Sequence, residues 1–524
     1  MIPRDGALTS LWQDNTLPYQ AKNKSVDNEY DVVIVGGGIT GITTAMLLQD
    51  AGKRCLLIEA YQLGFGTTGG TTAHLNTLLD TPYTTLITNF GKEGAKQVAR
   101  AATEAIRSIK DNIHRYGIDC GFEEQEAFLF ACDEKQSKEL DDIYQACQEV
   151  GLSVMEADQI PVPIPFVKAI RVADQAKFHP LKYVYGLASS FEEAGGVIIQ
   201  QCRVTNAEER DNKVYIETNR ANFEAQTLIY ATHIPPGINL LHLRCAPYRS
   251  YVMAIRLKDN NYPQNLVYDM YDPYHYYRTQ NIDGTDYLIA GGKDHKTGEE
   301  ENTQSCFELL KSHLQKHFDI GEITNYWSSQ YFEPADGLPY IGQLPGHTEN
   351  VLVATGFGGN GMIYSNIAAR IFKSLVLQEE NEYQELFSPS RVKPVAGFAH
   401  VVEHNADVVR QFIGKLFAAE KLDVISSLER DEGRVVKFEG HVMGLYKDED
   451  GALHAVNPTC THMKCSVSWN SAEKSWDCPC HGARYSMDGK VLTGPARHHL
   501  EEIQVKGLMQ RYKITSDWPV LSVD

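Results

Sequence analysis

Positive charge is scarce in this 524-residue chain: Lys+Arg 49 stand against Asp+Glu 68, a formal net charge of −19. A surface that negative excludes a sequence-independent grip on nucleic acid or anionic lipid. Long apolar runs are missing too. The uncharged stretch between Asp31 and Asp50 is broken by glycines and threonines, so it reads as strand, turn and helix rather than a membrane span. The opening Met1-Ile2-Pro3-Arg4-Asp5-Gly6 lacks the charged-then-apolar pattern of a secretory signal. A cytoplasmic location is expected. Cysteine, at 11 residues, is too sparse for a disulfide scaffold. Hydrophobic residues at 43% and charged residues at 22% exclude wholesale disorder.

What is present is organised in blocks. Residues 1–29 are polar and aperiodic and read as a surface arm. A β-branched strand, Asp31-Val32-Val33-Ile34-Val35, leads through glycines into a helix, then into a second apolar strand ending at Glu59. Apolar spacing predicts helices over 92–114, 136–149, 180–194, 305–318 and 361–378, with strands in 197–232 and 245–293. Ser388-Pro389-Ser390-Arg391 has linker chemistry. A helix over 406–420 is expected after it, and from about Val424 the pattern changes to short strands and turns.

Gly36-x-Gly38-x-x-Gly41 sits between strand and helix. Its first glycine suits a tight turn, its second a close approach to pyrophosphate, and its third tight helix–strand packing. Glu59, 23 residues after Gly36, lies where a carboxylate can accept from an adenosine ribose. Two other matches to the same expression, at 64–69 and 356–361, lack this full context. One complete unit favours resident FAD over a second, nicotinamide-binding site.

These segments resemble the glycine/D-amino-acid oxidase (DAO-type) family of FAD-dependent oxidoreductases. The likeness also rests on the Gly-Thr loop 64–75, Phe178-His179-Pro180, the strand 227–232, and the stretches 336–342 and 354–361. It implies a Rossmann-like FAD-binding domain interleaved with a mixed-sheet substrate domain. FAD-binding segments would lie at about 30–90, 178–240 and 330–380, with the substrate sheet at about 245–330. It further implies cofactor contacts from Thr71, Thr72, Ala73, Val204, Thr232, Gly356, Gly358, Gly359 and Met362. The turn 356–362, at a helix N-terminus, would face the flavin pyrimidine. Gly70-Thr71-Thr72-Ala73-His74 resembles the segment of dimethylglycine-dehydrogenase-like relatives in which a histidine is joined covalently to flavin. His74 could equally be a hydrogen-bonding loop residue.

Cys460, Cys465, Cys478 and Cys480 crowd into 21 residues, while seven other cysteines are scattered singly. Cys460-x-His462 and Cys478-x-x-His481 each offer one thiolate and one imidazole, a set that could hold tetrahedral zinc. The boxes also resemble Rieske proteins, with Cys-Pro-Cys-His-Gly intact and Gly494-Pro495-Ala496 like the covering loop. That resemblance implies a 2Fe–2S cluster with Cys460 and Cys478 on one iron and His462 and His481 on the other. It also implies a Cys465–Cys480 disulfide. Ala483 stands where a serine donor is usual, so a potential below that of respiratory Rieske proteins is expected.

Tyr276 and Arg278 are candidate substrate residues: aromatic walls suit an amine cation, and a guanidinium suits a carboxylate. His295 is a third candidate, beside the flavin or simply capping a turn. The expected architecture is therefore α/β followed by all-β, with a flavin unit at about 1–420 and a small Rieske β domain at 421–524. The expected function is oxidation of a C–N bond in an amine or amino acid. Electrons would leave through the cluster to an external protein or quinone. Inward electron flow, or a redox sensor without a small-molecule substrate, are the alternatives.

Overall fold

The computed structural model describes residues 4–22, 26–391, 428–438 and 441–504. The strand Glu29–Val35 is apolar on both faces and accordingly lies inside an eight-stranded sheet, hydrogen-bonded in parallel to Asn222–Tyr230 on one side and Cys55–Ile58 on the other. Val197–Ile199 and Val351–Thr355 extend it in parallel. The helix Ile39–Asp50 packs against Gly361–Leu377, so the two glycine-led helices meet over one core.

The expected helices are present, with shifted ends: Tyr83–Tyr116, Glu134–Glu149, Pro180–Glu193, Thr303–Gln315 and Gly361–Leu377. The first begins earlier than expected because two helices join across Gly91, whose φ of 76° breaks the helical geometry.

A nine-stranded sheet forms the second layer. The strand Cys245–Leu257 lies one in from its edge, between the edge strand Ile320–Pro334 and Thr285–Lys296. The range 245–330, expected to hold the substrate sheet, supplies strands to this half only. Glu123–Ala131, Val154–Ala157, Lys168–Lys177 and the two-residue strand His74–Leu75 join it from earlier in the chain. Such pairings depend on long-range register, which local periodicity does not encode.

The N-terminal arm also differs from expectation. Its first part is not a surface feature, for Arg4, Leu11 and Trp12 are 0% exposed and Ser10 caps a short helix, Leu11–Asp14, whereas the part after the helix is exposed as expected, Leu17 at 88%. The polar composition that suggested exposure serves a buried ion network instead. At the C-terminal end, a three-stranded sheet (Glu432–Phe438, His441–Lys447, Leu453–Val456) adjoins a four-stranded one (Ser468–Asn470, Ser475–Asp477, Arg484–Ser486, Val491–Thr493). The expected helix at 406–420 and the boundary at 420/421 lie outside the described residues. Among the described residues no helix is long and apolar enough to cross a membrane.

Candidate cofactor and substrate sites

A cavity of about 300 Å³ runs from the glycine turn to the nine-stranded sheet. Gly36, Gly38 and Glu59 line one end, with Val204 and Thr232 nearby. Gly41 lies beneath: a Cβ there would fall 1.9 Å from the Gly36 carbonyl oxygen, so glycine is required for the turn to close on the helix. Glu59 accepts from the backbone N–H of Gly37 (2.7 Å) and Tyr61 (2.8 Å). Burial pushes its carboxyl pKa up, against those bonds and the nearby Arg203.

Thr71, Thr72 and His74 line the middle of the cavity, with Gly358, Gly359 and Met362 also on its wall. Ala73 and Gly356 do not line it. Ala73 is fully buried at φ 55°, and Gly356 packs against Cys245 and Pro334. The His74 ring accepts or donates at Nδ1 with the Tyr268 hydroxyl (2.8 Å), while its buried Nε2 has no partner. Burial, then Arg278 and Lys177, hold its pKa well below the usual value.

The sheet end is acidic and aromatic. Tyr268, Tyr274, Tyr276 and Tyr331 line it together with Ser250, Asp80 and Asp294. Asp294 accepts from Ser250 Oγ and from the Tyr331 hydroxyl (2.8 Å); Ser250 in turn meets the Tyr276 hydroxyl at 2.8 Å. Burial raises the Asp294 pKa to about 7, with the two hydroxyl donors opposing the shift. Asp80 faces the open interior while protein surrounds it otherwise. Its pKa is pushed up to about 6 by burial, against hydrogen bonds from Gly359 N (2.7 Å), Asn360 and Tyr274. Gly291 makes room for this arrangement, since a Cβ there would meet the Tyr276 ring at 2.3 Å.

Two of the three expected substrate residues lie elsewhere. Arg278 continues the Tyr274–Tyr276 face but does not line the cavity. Its Nη1 donates to the carbonyls of Thr72 (2.9 Å), Ala73 (2.7 Å) and Phe178 (3.3 Å), so it braces the loop carrying His74. His295 is bonded to the Tyr251 hydroxyl (2.8 Å) and the Lys296 carbonyl (2.9 Å), away from the cavity. Alternation explains the miss: adjacent residues on a strand face opposite ways, and Asp294 rather than His295 faces inward.

In the loops of the C-terminal sheets, Cys460 and Cys478 are buried, and a disulfide joins Cys465 to Cys480. The rings of His462 and His481 pack at 4.9 Å between centroids. The Tyr485 hydroxyl lies 3.2 Å from Cys460 Sγ, and Ala483 is fully buried beside them. His462 Nε2 donates to the carbonyl of Gly237 (3.0 Å), and the ring of His242 packs edge-on against His462 at 4.7 Å. These histidines therefore face the larger unit.

Residues 31–375 match the family FAD dependent oxidoreductase (DAO). The chain belongs to the DAO family. Residues 419–505 match the Rieske 2Fe–2S domain, so this DAO-family oxidoreductase carries a C-terminal Rieske domain. It is 35% identical over 483 residues to the protein YhfW of Bacillus subtilis (strain 168), named for a Rieske 2Fe–2S centre; the match covers 91% of this chain and 94% of the relative. Gamma-glutamylputrescine oxidoreductase of Escherichia coli (strain K12) is 23% identical, over 68% of this chain and 86% of the relative. The crystal structure of glycine oxidase from Geobacillus kaustophilus superposes with a TM-score of 0.58 at 19% identity, covering 70% of this chain and all of that one.

Membership of the DAO family implies FAD, and the Rieske domain implies a 2Fe–2S cluster. The residues present fit both. Gly38 caps the helix Ile39–Asp50 without a side chain and lines the cavity; the first helical N–H, Ile39 N, donates to Thr68 Oγ1 (3.1 Å), and the N-terminal dipole suits an anion. His74 lines the cavity, and its buried Nε2 has no hydrogen-bond partner in the protein. His462 Nδ1 is buried with no hydrogen-bond partner in the protein, as expected of a nitrogen reserved for iron. Sequence reasoning missed Asp80, Asp294 and Ser250, which come together from three separate segments.

Proposed function

We propose that this oxidoreductase oxidises the C–N bond of an amine and exports the electrons through its Rieske domain to an external protein or quinone. The observation that carries the substrate half is the acidic, tyrosine-lined sheet end of the cavity. Among the described lining residues the arginines are Arg203 and Arg497, which donate to the backbone carbonyls of Val491 and Pro236 at the dinucleotide end. A substrate carboxylate would call for a guanidinium beside Asp294. An ammonium finds carboxylates and aromatic faces there instead. One relative is named as an oxidoreductase of gamma-glutamylputrescine, which carries a primary amine as well as an amino-acid end.

Bound FAD supplies two-electron oxidation, and the cluster supplies one-electron export. Asp294 has the chemistry to hold the substrate ammonium as a carboxylate and then to accept its proton at a carboxyl oxygen. Loss of that proton frees the nitrogen lone pair that C–N oxidation needs. Ser250 and Tyr331 keep the carboxylate aimed, and the Ser250–Tyr276 bond carries the hydrogen-bonded chain onward. Tyr268 and Tyr274 give the same end of the cavity aromatic walls. Arg278 holds the backbone of Thr72 and Ala73 in place. The export half is supported by the segment 231–237: Thr232 and Ile234 line the cavity, and Gly237 accepts from His462.

The test is anaerobic addition of primary and secondary amines and of D- and L-amino acids, followed by optical and EPR spectra. Bleached flavin absorbance together with a Rieske EPR signal, produced by amines and not by amino acids, is expected. Reduction by amino acids alone would reject the substrate assignment. A bleached flavin with a silent cluster that dithionite can reduce would reject the electron route.

A further inference from the structure

The cavity assigned to FAD is walled by two domains. Leu492, Thr493, Gly494, Ala496 and Arg497 of the Rieske domain line the same space as Gly36 and Glu59. They belong to the last strand, Val491–Thr493, and the loop that follows it. Hydrogen bonds hold this segment against the flavin domain. The Tyr61 hydroxyl (2.6 Å) and Arg203 Nη2 (3.3 Å) donate to the carbonyl of Val491. Gly237 N donates to the carbonyl of Pro495 (2.9 Å), and Arg497 Nη2 donates to the carbonyl of Pro236 (3.3 Å). Tyr61, Arg203 and Pro236 also line the cavity, so the groups that grip the Rieske segment are themselves cofactor-facing.

The fit is close on both sides of the seam. Gly237 has φ 84°, and a Cβ there would lie 2.9 Å from Arg497 Nη2. The neighbouring contact is the Gly237 carbonyl on His462 Nε2. One flavin-domain segment, 231–237, thus touches the cofactor cavity, the Rieske loop and an expected cluster ligand.

We infer that residues 491–497 of the Rieske domain form part of the dinucleotide-binding site, with Arg497 supplying positive charge toward the anionic cofactor. A ligand that touches both domains binds tightly only when they are docked, and by linkage its binding favours docking in return. Cofactor retention and domain docking become a single equilibrium. A Rieske domain that swung away to meet a distant acceptor would open the FAD site, so the electron acceptor comes to the docked domain.

The test uses the full-length chain, produced in flavin-limited cells and compared with and without added FAD. Amide hydrogen exchange in 491–497 slows about tenfold when FAD binds, because the segment is pinned. Exchange in His441–Lys447, in the same domain and not among the cavity's lining residues, stays unchanged. The variant Arg497→Ala weakens FAD binding by roughly ten- to hundredfold, the effect of losing one charge-assisted contact. Its dithionite-reduced EPR signal remains that of the parent, which separates loss of a contact from loss of the fold. Exchange in 491–497 that ignores FAD overturns the inference, and so does an Arg497→Ala protein that binds FAD with parental affinity. Should that variant lose its cluster, the exchange measurement on the unsubstituted protein decides alone.

Discussion

Replacing Asp294 by Asn tests the substrate assignment where it is most exposed. The side chain keeps its size and one acceptor oxygen, so Ser250 or Tyr331 retains a partner, and the negative charge is lost. Removing one member of a desolvated charge pair costs about 2–3 kcal/mol at the lower end of measured values, or roughly 30- to 150-fold in Kd. The pH dependence adds a second, independent signature. Burial raises the Asp294 pKa to about 7, so the carboxyl is about a tenth ionised at pH 6 and about nine-tenths at pH 8. The charged form binds an ammonium and the neutral form does not. Amine kcat/KM should therefore rise as pH increases through about 7. Asp80, held up to about 6 by burial, contributes a lower step that survives the substitution. The assay is anaerobic titration of the flavin absorbance with amine across this range, in parent and D294N proteins. An affinity that D294N leaves unaltered would refute the argument. So would a parental pH profile flat between the two limits.

Two further substitutions examine the domain seam and the cluster. Glu473 accepts from Arg4, Ser328 and Leu8 inside a buried network in which Arg4, Arg249 and Arg484 oppose Asp5, Glu473 and Asp477. Glu473→Gln leaves one guanidinium uncompensated and turns an N–H₂ toward donors. It should cost about 3–5 kcal/mol, read as a lowered urea midpoint of the full chain; an unchanged midpoint contradicts the ledger of charges. Tyr485→Phe removes the hydroxyl 3.2 Å from Cys460 Sγ. A donor to a ligating sulfur stabilises the more negative, reduced cluster, so its loss should lower the midpoint potential by roughly 30–60 mV, the one-electron equivalent of about 1 kcal/mol. EPR-monitored redox titration measures this, and a potential that stays or rises speaks against Cys460 as a ligand.

The parts of this protein legible in the sequence are those whose chemistry is local. The strand–glycine–helix unit at 31–59 carries its reasons within one stretch: β-branched residues for a doubly buried strand, Gly41 for contact with Gly36, a carboxylate at the next strand end. The Cys-x-His and Cys-x-x-His boxes are equally self-contained, and both families could be recognised from such blocks. What tertiary structure alone decided is whatever requires distant segments to meet. Asp80, Ser250 and Asp294 share a wall because two neighbouring strands of one sheet meet the cap of the helix Gly361–Leu377, which holds Asp80, there. Of His295 and its neighbour Asp294, only Asp294 lines the cavity, since the strand's facing depends on its pairing with Cys245–Leu257. Arg278 looked like a substrate anchor until the loop 72–73 was found at its tip. The polar N-terminal arm looked solvated because its counter-charges lie some 470 residues away, at Glu473 and Arg484. Burial and charge pairing are properties of contacts, and contacts between remote segments leave no periodic trace along the chain.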